Sequence, residues 1–554
     1  MSPLFAFFVA LMLLGIVINA LVSRKRSRVK KLDSLWASES ALKQYDDDIL
    51  DDIASYWRIK KTAISEADQV DDTTWDDLDM NHVFRQLDST ISLCGSEVLY
   101  AMLHGTGEEP HVLAERSLCS DYLVSTRDTR IAVQMALQKI KQAHYHGAAA
   151  FMHNPEIALP PYRGLLHAMG FLPVVLLMAV LLHPAFLLAA AGMMAFNAMV
   201  YFRAAPAWRI YERAVKHLAS VLNCAKALDR IKDDNLMSQL SRLRALCKPL
   251  NSVKRWTPVF AVEGVELIEM IVDYLKIFFL FDLFALSVIV RRIGKQAGAL
   301  QAVYEAVGTL DVCQALAALK TRHPAWCSPR FTNERYVEAE DMTHPLVRDC
   351  VPNSFQWQRG MLLTGSNASG KSTFVKAVAI NAILVQSLSF CFAQAFVLPR
   401  ARVMTSMAIR DDVRSGDSYF IREIKSLRRI LQALDGKRFV LCFIDEILRG
   451  TNTVERIASS SAVLAVLAEK PLLCLAATHD IELTRLLADQ YDNMHFREEM
   501  KDGNVVFNYQ LCQGPSTTRN AVALLSSMGF DQAIIDSAHR LIAQFEQTGS
   551  WFTS

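Results

Sequence analysis

At 554 residues the chain exceeds what one hydrophobic core usually organises, which excludes a single small module and leads us to expect two or more domains. Lys and Arg number 59 against 57 Asp and Glu, so no global basic field marks a nucleic-acid binder and any such contact must come from a local patch. Hydrophobic residues make up 52% and the mean hydropathy is +0.17, so part of the apolar surplus is expected in lipid.

The first element is the run from Leu4 to Val22, apolar or Gly throughout except for Asn19. At about 1.5 Å per helical residue it is long enough to cross a hydrocarbon layer roughly 30 Å thick. A cleaved signal peptide would carry its positive charges before the apolar stretch. Here Arg24, Lys25, Arg26, Arg28, Lys30 and Lys31 follow it, so residues 1–23 read as an anchor with the bulk of the protein inside.

Residues 24–80 are rich in Asp46, Asp47, Asp48, Asp51, Asp52, Asp71, Asp72, Asp76 and Asp77, and read as a solvated linker. Helical patterning starts near Asn81. An apolar block from Gly164 to Phe202 follows, interrupted at His183-Pro184 and bracketed by Arg163, Arg203 and Arg209. This predicts a helical hairpin over 164–202 with both ends in the cytoplasm; a re-entrant hairpin or a buried soluble helix pair remains open. From Ala205 to about Leu319, apolar spacing of three and four predicts long helices. The run from Ile277 to Val290 contains Asp282 and is short, which favours a core helix over a span.

After His323-Pro324 the texture changes. Short β-rich runs at Gly360 to Thr364, Phe439 to Ile444 and Leu472 to Ala476 alternate with helical stretches, the pattern of an α/β domain on a largely parallel sheet. The 11 cysteines are scattered without a C-x-x-C pair or a zinc-like spacing, so they read as reduced thiols and the soluble parts as cytoplasmic.

The segment MLLTGSNASGKSTFVKAVAI carries the chemistry. Gly365, Ser366, Asn367, Ala368, Ser369, Gly370, Lys371 and Ser372 fit G-x-x-x-x-G-K-[ST] between an apolar strand and an amphipathic helix, with Thr373 next in line. Glycines let backbone N-H groups turn toward phosphates, Lys371 offers a cation to the β and γ oxygens, and the helix start adds its positive end. Ser372 would hold Mg²⁺. The run RFVLCFIDE delivers Asp445 and Glu446 at a strand's C-terminal end. Asp445 is the second candidate for Mg²⁺, and Glu446 is placed to orient or deprotonate an attacking water. A third strand, LLCLAAT, ends at Thr478-His479-Asp480, where His479 could report a γ-phosphate. ATP with Mg²⁺ is the expected ligand pair.

Together these motifs resemble the ATPase domain of the MutS family of DNA mismatch-repair proteins over roughly residues 340 to 545. The features are Thr343-His344-Pro345 leading to Val351-Pro352-Asn353, the Asn367-containing loop, TSMAIRDDVRSGDSYFIREI, Asp445-Glu446 followed by Arg449-Gly450-Thr451-Asn452, and Thr478-His479-Asp480. The resemblance implies an α/β P-loop (ABC-class) ATPase domain, over 326–554, preceded by an all-α lever or core domain, over 81–325, that here carries transmembrane helices. It also implies a homodimer in which Ser418 of Ser418-Tyr419-Phe420 reaches the partner's nucleotide in trans. More weakly, LDSTISLCGSEVLYAMLHG with Glu115-Arg116 looks like the start of that lever domain.

The departures are informative. The helical region carries an apolar hairpin where the family has its DNA clamp, no Phe-x-Glu occurs in the first 330 residues, and too little sequence precedes residue 81 for the mismatch-reading domain. Cys350 stands where the family has an aromatic before Val-Pro-Asn. Two functions follow: a membrane-anchored MutS-like ATPase that couples nucleotide state to DNA binding, or an ATP-driven membrane switch acting on a protein or lipid partner without DNA. An ABC transporter is disfavoured, since the spans are few and L-S-G-G-Q is missing.

Overall fold

The computed structural model describes residues 3–140, 148–153, 163–233, 235–250, 266–366, 369–407, 419–434, 438–501, 504–516, 522, 525–526, 528–548 and 551. It forms two compact units. One comprises Met1–Ala63, Leu87–Ala101 and Leu118–Arg322, the other Ile64–Gln86, Met102–Ser117 and His323–Ser554.

The first unit is helical. Its opening helix, Pro3–Leu35, runs unbroken through the apolar stretch and the basic cluster. The helix Arg163–Ala179 and the much longer Ala185–Leu228 are joined by a turn at His183, whose Nδ1 accepts a hydrogen bond from Ala185 N at 3.2 Å. The apolar block ends at residue 202, and the helix that carries its second arm continues to Leu228. Beyond Tyr211 its stripe of Ala214, Leu218, Val221, Leu222 and Ala225 is buried. That i, i+4, i+7 spacing is the signature of a core-facing helix. The hairpin arms instead present Phe171, Met178, Leu181, Leu182, Leu188 and Phe202 to the outside. Among the described residues, two helices are long and apolar enough to cross a membrane by length and composition: Ala185–Arg203, of which little is buried, and Ala297–Arg322, most of which is.

The run from 277 to 290 is not one helix. Leu280, with φ of 51°, separates Glu266–Phe279 from Phe281–Lys295, and the second of these buries Leu283, Leu286, Ile289 and Val290. Ala297–Arg322 is the core of the unit. A Cβ on its Gly308 would come within 2.4 Å of Val98 Cγ2, so only glycine permits this approach.

Among the described residues, the second unit is built on ten strands. A four-stranded sheet of order β1-β5-β2-β3 joins Arg330–Thr332 (β1), Val337–Met342 (β2), Asn353–Trp357 (β3) and Ala395–Pro399 (β5). A six-stranded sheet has the order β10-β9-β4-β8-β7-β6 and contains Gly360–Thr364 (β4), Ala401–Ser406 (β6), Phe439–Asp445 (β7), Leu472–Ala477 (β8), Tyr491–Lys501 (β9) and Asn504–Gln513 (β10). Every pairing in it is parallel except β9 with β10. The central strands are apolar over Met361 to Leu363, Phe439 to Ile444 and Leu472 to Ala477, as expected of strands covered on both faces. Burying a side chain such as Phe443, fully enclosed here, stabilises by about 1.5–3 kcal/mol.

The acidic stretch differs from its reading as a solvated linker. Asp46 and Asp71 are N-caps, accepting hydrogen bonds from Ile49 N and Thr74 N at 2.9 and 2.8 Å. In the second unit Asp71 pairs with Arg429, Asp68 with Arg438 and Asp79 with Lys376, while Asp77 accepts hydrogen bonds from Thr405 Oγ1 at 2.6 Å and Met407 N at 3.1 Å. The carboxylates are bound to cations and donors far away in sequence, which a local reading of charge cannot see.

Candidate functional site

Strand β4 is buried from Met361 to Thr364 and leads into the turn that ends at Gly370, where the helix Lys371–Leu388 starts. Gly365 and Gly370 have φ of 138° and 101°. A Cβ would lie 2.9 Å from Ser369 Oγ at the first and 3.1 Å from Tyr509 Cδ1 at the second, so both the backbone and the space require glycine. The helix start aims its unpaired N-H groups and the positive end of its dipole at the turn. Lys371 is buried, and its Nζ donates to Gly365 O and Ser366 O at 2.6 Å each. The ammonium is thus folded over the turn against neutral carbonyls, where an anionic oxygen would be a stronger acceptor. Asn367 and Ala368 lie outside the described residues.

Facing the turn, β7 ends at Asp445. Burial holds its carboxyl above the usual range, and a hydrogen bond from the Ser372 hydroxyl opposes that shift. Its Oδ1 is buried without a hydrogen-bond partner among the described residues. A hydroxyl beside a half-satisfied buried carboxylate is an oxygen set suited to a hard divalent cation such as Mg²⁺, so the residues fit that ion.

Glu446 follows with φ of 58°, a conformation that costs of the order of 1–3 kcal/mol in a non-glycine residue and points to a positioned side chain. Its backbone N-H donates to Ala477 O at 2.9 Å. Its carboxylate meets His479 Nε2 at 2.9 Å and Arg449 Nη1 at 2.9 Å. The His479 hydrogen bond, with help from Arg449, holds the Glu446 carboxyl below its ordinary value, so it is ionised at neutral pH. His479 is itself fixed at the end of β8. Thr478 N donates to Leu363 O at 3.0 Å, and Asp480 is gripped by Arg456 through two bonds of 2.8 and 2.6 Å. Asn452 caps the helix Thr453–Ala468 through Glu455 N at 3.0 Å, and a Cβ at Gly450 would come within 2.9 Å of Phe420 Cβ.

The turn, Lys371, Ser372, Asp445, Glu446 and His479 are therefore brought together. Thr373 lines an adjoining cavity of about 330 Å³ with His344, Cys350, Val351, Phe374 and Tyr509. Burial pushes the His344 imidazole down to about 4, so it is neutral. Ser418 lies outside the described residues, and its role in trans is not addressed by them.

Residues 361–546 match the family model described as MutS domain V. The C-terminal part of the chain is thus similar in sequence to this domain of the MutS family. DNA mismatch repair protein MutS of Thermus thermophilus is 31% identical over 258 residues, covering 46% of this chain and 31% of that protein. The proteins of the same name from Thermus aquaticus and Geobacillus thermodenitrificans are each 32% identical, over 257 and 262 residues; the matches cover 46% and 45% of this chain and 31% and 28% of those proteins. The chain thus spans about a third of the length of the curated relatives it matches.

In this domain the sequence reading missed Tyr509. It sits in the irregular part of the β9–β10 pairing, between Phe507 and Leu511, with φ of 52°. Asn353 fixes it there, donating to Tyr509 O at 3.0 Å and accepting from Leu511 N at 2.8 Å. Cys350 and Tyr509 line the same cavity, and Tyr509 supplies a ring to it. The period-two alternation of the run gives no sign of a residue turned by an irregular register.

Proposed function

We propose that the chain is a membrane-anchored, MutS-like ATPase that works as a homodimer and couples nucleotide state to DNA binding. The observation that carries the ATPase reading is the meeting of a glycine-turned phosphate loop with the Ser372–Asp445 pair and the ionised Glu446. Lys371 and the loop N-H groups would bind the triphosphate, Ser372 and Asp445 would hold Mg²⁺, and Glu446 would take the proton of the attacking water. When bound there, Mg²⁺ would neutralise part of the charge of the triphosphate. The base of ATP enters the 330 Å³ cavity, where Tyr509 offers a stacking face. Ser418 acts on the partner's nucleotide, by the family's pattern.

The membrane reading rests on Pro3–Leu35, with its apolar run followed by Arg24 to Lys31, and on the bare apolar hairpin, with both ends on the cytoplasmic side. That hairpin, in the place where the family has its DNA clamp, favours a second reading: a nucleotide-driven switch acting on a protein or lipid partner without DNA.

The experiment is nucleotide binding and turnover by the detergent-solubilised full chain and by Lys371→Ala. The variant gives up a charge-assisted contact, so affinity should fall roughly 10- to 100-fold. Equal binding by both proteins would rule out the site. Affinity for homoduplex, mismatched and branched DNA over a salt series, with and without ATP, separates the two readings. Binding with a steep salt slope supports the first, and no binding under any condition leaves the second.

A further inference from the structure

The helical unit contains a cavity of about 500 Å³ between the helices Arg163–Ala179, Glu266–Phe279 and Phe281–Lys295. This falls within the range of about 300–1,000 Å³ that small-molecule sites occupy. Its wall is apolar, formed by Leu166, Phe171, Val174, Leu275, Phe279 and Phe284, with two exceptions, His167 and Lys276. His167 Nε2 is engaged with Ser287 Oγ at 2.7 Å. Lys276 is only 14% exposed, and its ammonium has three donors, of which Asp273 Oδ1 at 3.2 Å takes one.

The cavity opens outward. Phe171 and Leu275 line it while remaining 59% and 51% exposed, and the hairpin surface beyond them is equally bare. Two fixed contacts shape it. A Cβ at Gly170 would lie 2.5 Å from Phe279 O, so this glycine lets the helices touch. Asn197, fully buried, donates from Nδ2 to Met169 O at 2.9 Å and Phe278 O at 2.8 Å. Gly170 follows the basic flank Arg163 by roughly 10 Å along the helix, which sets the cavity at the charged end of the hairpin rather than at its tip.

An apolar slot open to the outside, with a partly covered ammonium at its wall and a basic flank one or two turns away, is a site for an amphiphile with an anionic head. We propose that this cavity holds one acyl chain of an anionic glycerophospholipid, whose phosphate is met by Lys276. The proposal rests on the reading of the hairpin as membrane-embedded. A chain in the slot covers the exposed faces of Phe171 and Leu275, and the phosphate uses the remaining donors of Lys276.

The test uses the full-length protein in nanodiscs of phosphatidylcholine doped with phosphatidylglycerol bearing a photoactivatable diazirine on its acyl chain, with adducts mapped by mass spectrometry. Adducts should concentrate on residues 166–174 and 275–284. Val174→Trp, which fills the slot, should cut them about tenfold relative to the hairpin tip near Leu181. Lys276→Gln, which keeps the packing, should abolish the preference for the phosphatidylglycerol probe over its phosphatidylcholine counterpart. Unchanged thermal unfolding and retained carbonate-resistant membrane association show that each variant is folded. Adducts spread evenly over the hairpin, or unchanged by Val174→Trp, would overturn the cavity assignment. Release of the wild-type chain from native membranes by alkaline carbonate would instead bring down the membrane reading, and the lipid site with it.

Discussion

Glu446 and His479, 33 residues apart in sequence, meet at 2.9 Å because β7 and β8 are parallel neighbours whose C-terminal ends stand side by side. The contact couples a strained carboxylate to a half-exposed imidazole at the mouth of the phosphate loop. It also lowers the pH at which Glu446 loses its charge.

Two substitutions separate the roles of this pair. Glu446→Gln keeps the shape but removes the base, so ATP should still bind while turnover falls by about 10²–10⁴-fold. His479→Ala removes the largest cause of the depressed carboxyl value, so Glu446 should protonate at a higher pH. The acidic limb of the kcat profile should therefore move upward in pH, with the plateau above it less affected. A His479→Ala profile that superimposes on the wild type would show that the contact does not tune Glu446.

Tyr509 tests the base cavity. Tyr509→Ala removes the ring and should raise KM, with little change in kcat, because stacking on the base is present equally in ground and transition states. An aromatic contact of this type contributes about 0.5–1.5 kcal/mol, or roughly threefold to tenfold in affinity. Tyr509→Phe should behave as the wild type. If the Ala variant binds ATP with unaltered affinity, the base lies elsewhere.

The phosphate loop was legible because its chemistry is local. Gly365, Gly370, Lys371 and Ser372 are fixed by spacing, and Asp445, Glu446 and His479 each terminate an apolar run that could only be an interior strand. Tyr509 was not legible, since its position depends on the register of β9 with β10 and on Asn353, 156 residues away. The same limit applies to Asp68, Asp71, Asp77 and Asp79. Their clustering looked like solvation, whereas their partners Arg438, Arg429, Thr405 and Lys376 are brought in by the fold. The apolar block bounded at Phe202 and the helical patterning from Ala205 turn out to share one helix, Ala185–Leu228, because the change from exposure to core burial near Tyr211 does not interrupt helical geometry.

Glu97 provides a pH prediction in the helical unit. It is buried, accepts a hydrogen bond from Tyr304 Oη at 2.5 Å, and is pushed by burial up to about 8. In the unfolded chain the carboxyl titrates near 4.5, so the folded state binds the extra proton between these values. Stability from this group is therefore fully present below about 4.5 and is lost as pH rises to about 8. Glu97→Gln keeps an acceptor for Tyr304 without the titration. Thermal unfolding across this window should be flatter in the variant, and the variant should be the more stable protein at the alkaline end. Parallel curves for the two proteins would contradict the assignment.

Asn197 bears on how the hairpin holds together. Its amide donates to Met169 O and Phe278 O, so one side chain ties the two hairpin arms to the helix Glu266–Phe279. Replacement by Leu is nearly isosteric and more apolar, and on hydropathy alone it should favour membrane insertion. It also leaves two buried carbonyls without their donor, in surroundings where each interhelical hydrogen bond contributes about 0.6–2 kcal/mol. If packing dominates, Asn197→Leu should remain in the carbonate-resistant membrane fraction while the helix Glu266–Phe279 becomes more accessible to protease or to cysteine labelling at an introduced Leu275→Cys. Asn197→Asp tests the other side, since it keeps the size and removes the donor, and it should loosen the same contact while also burying a charge. Labelling rates equal to wild type in both variants would mean that Asn197 does not secure these helices.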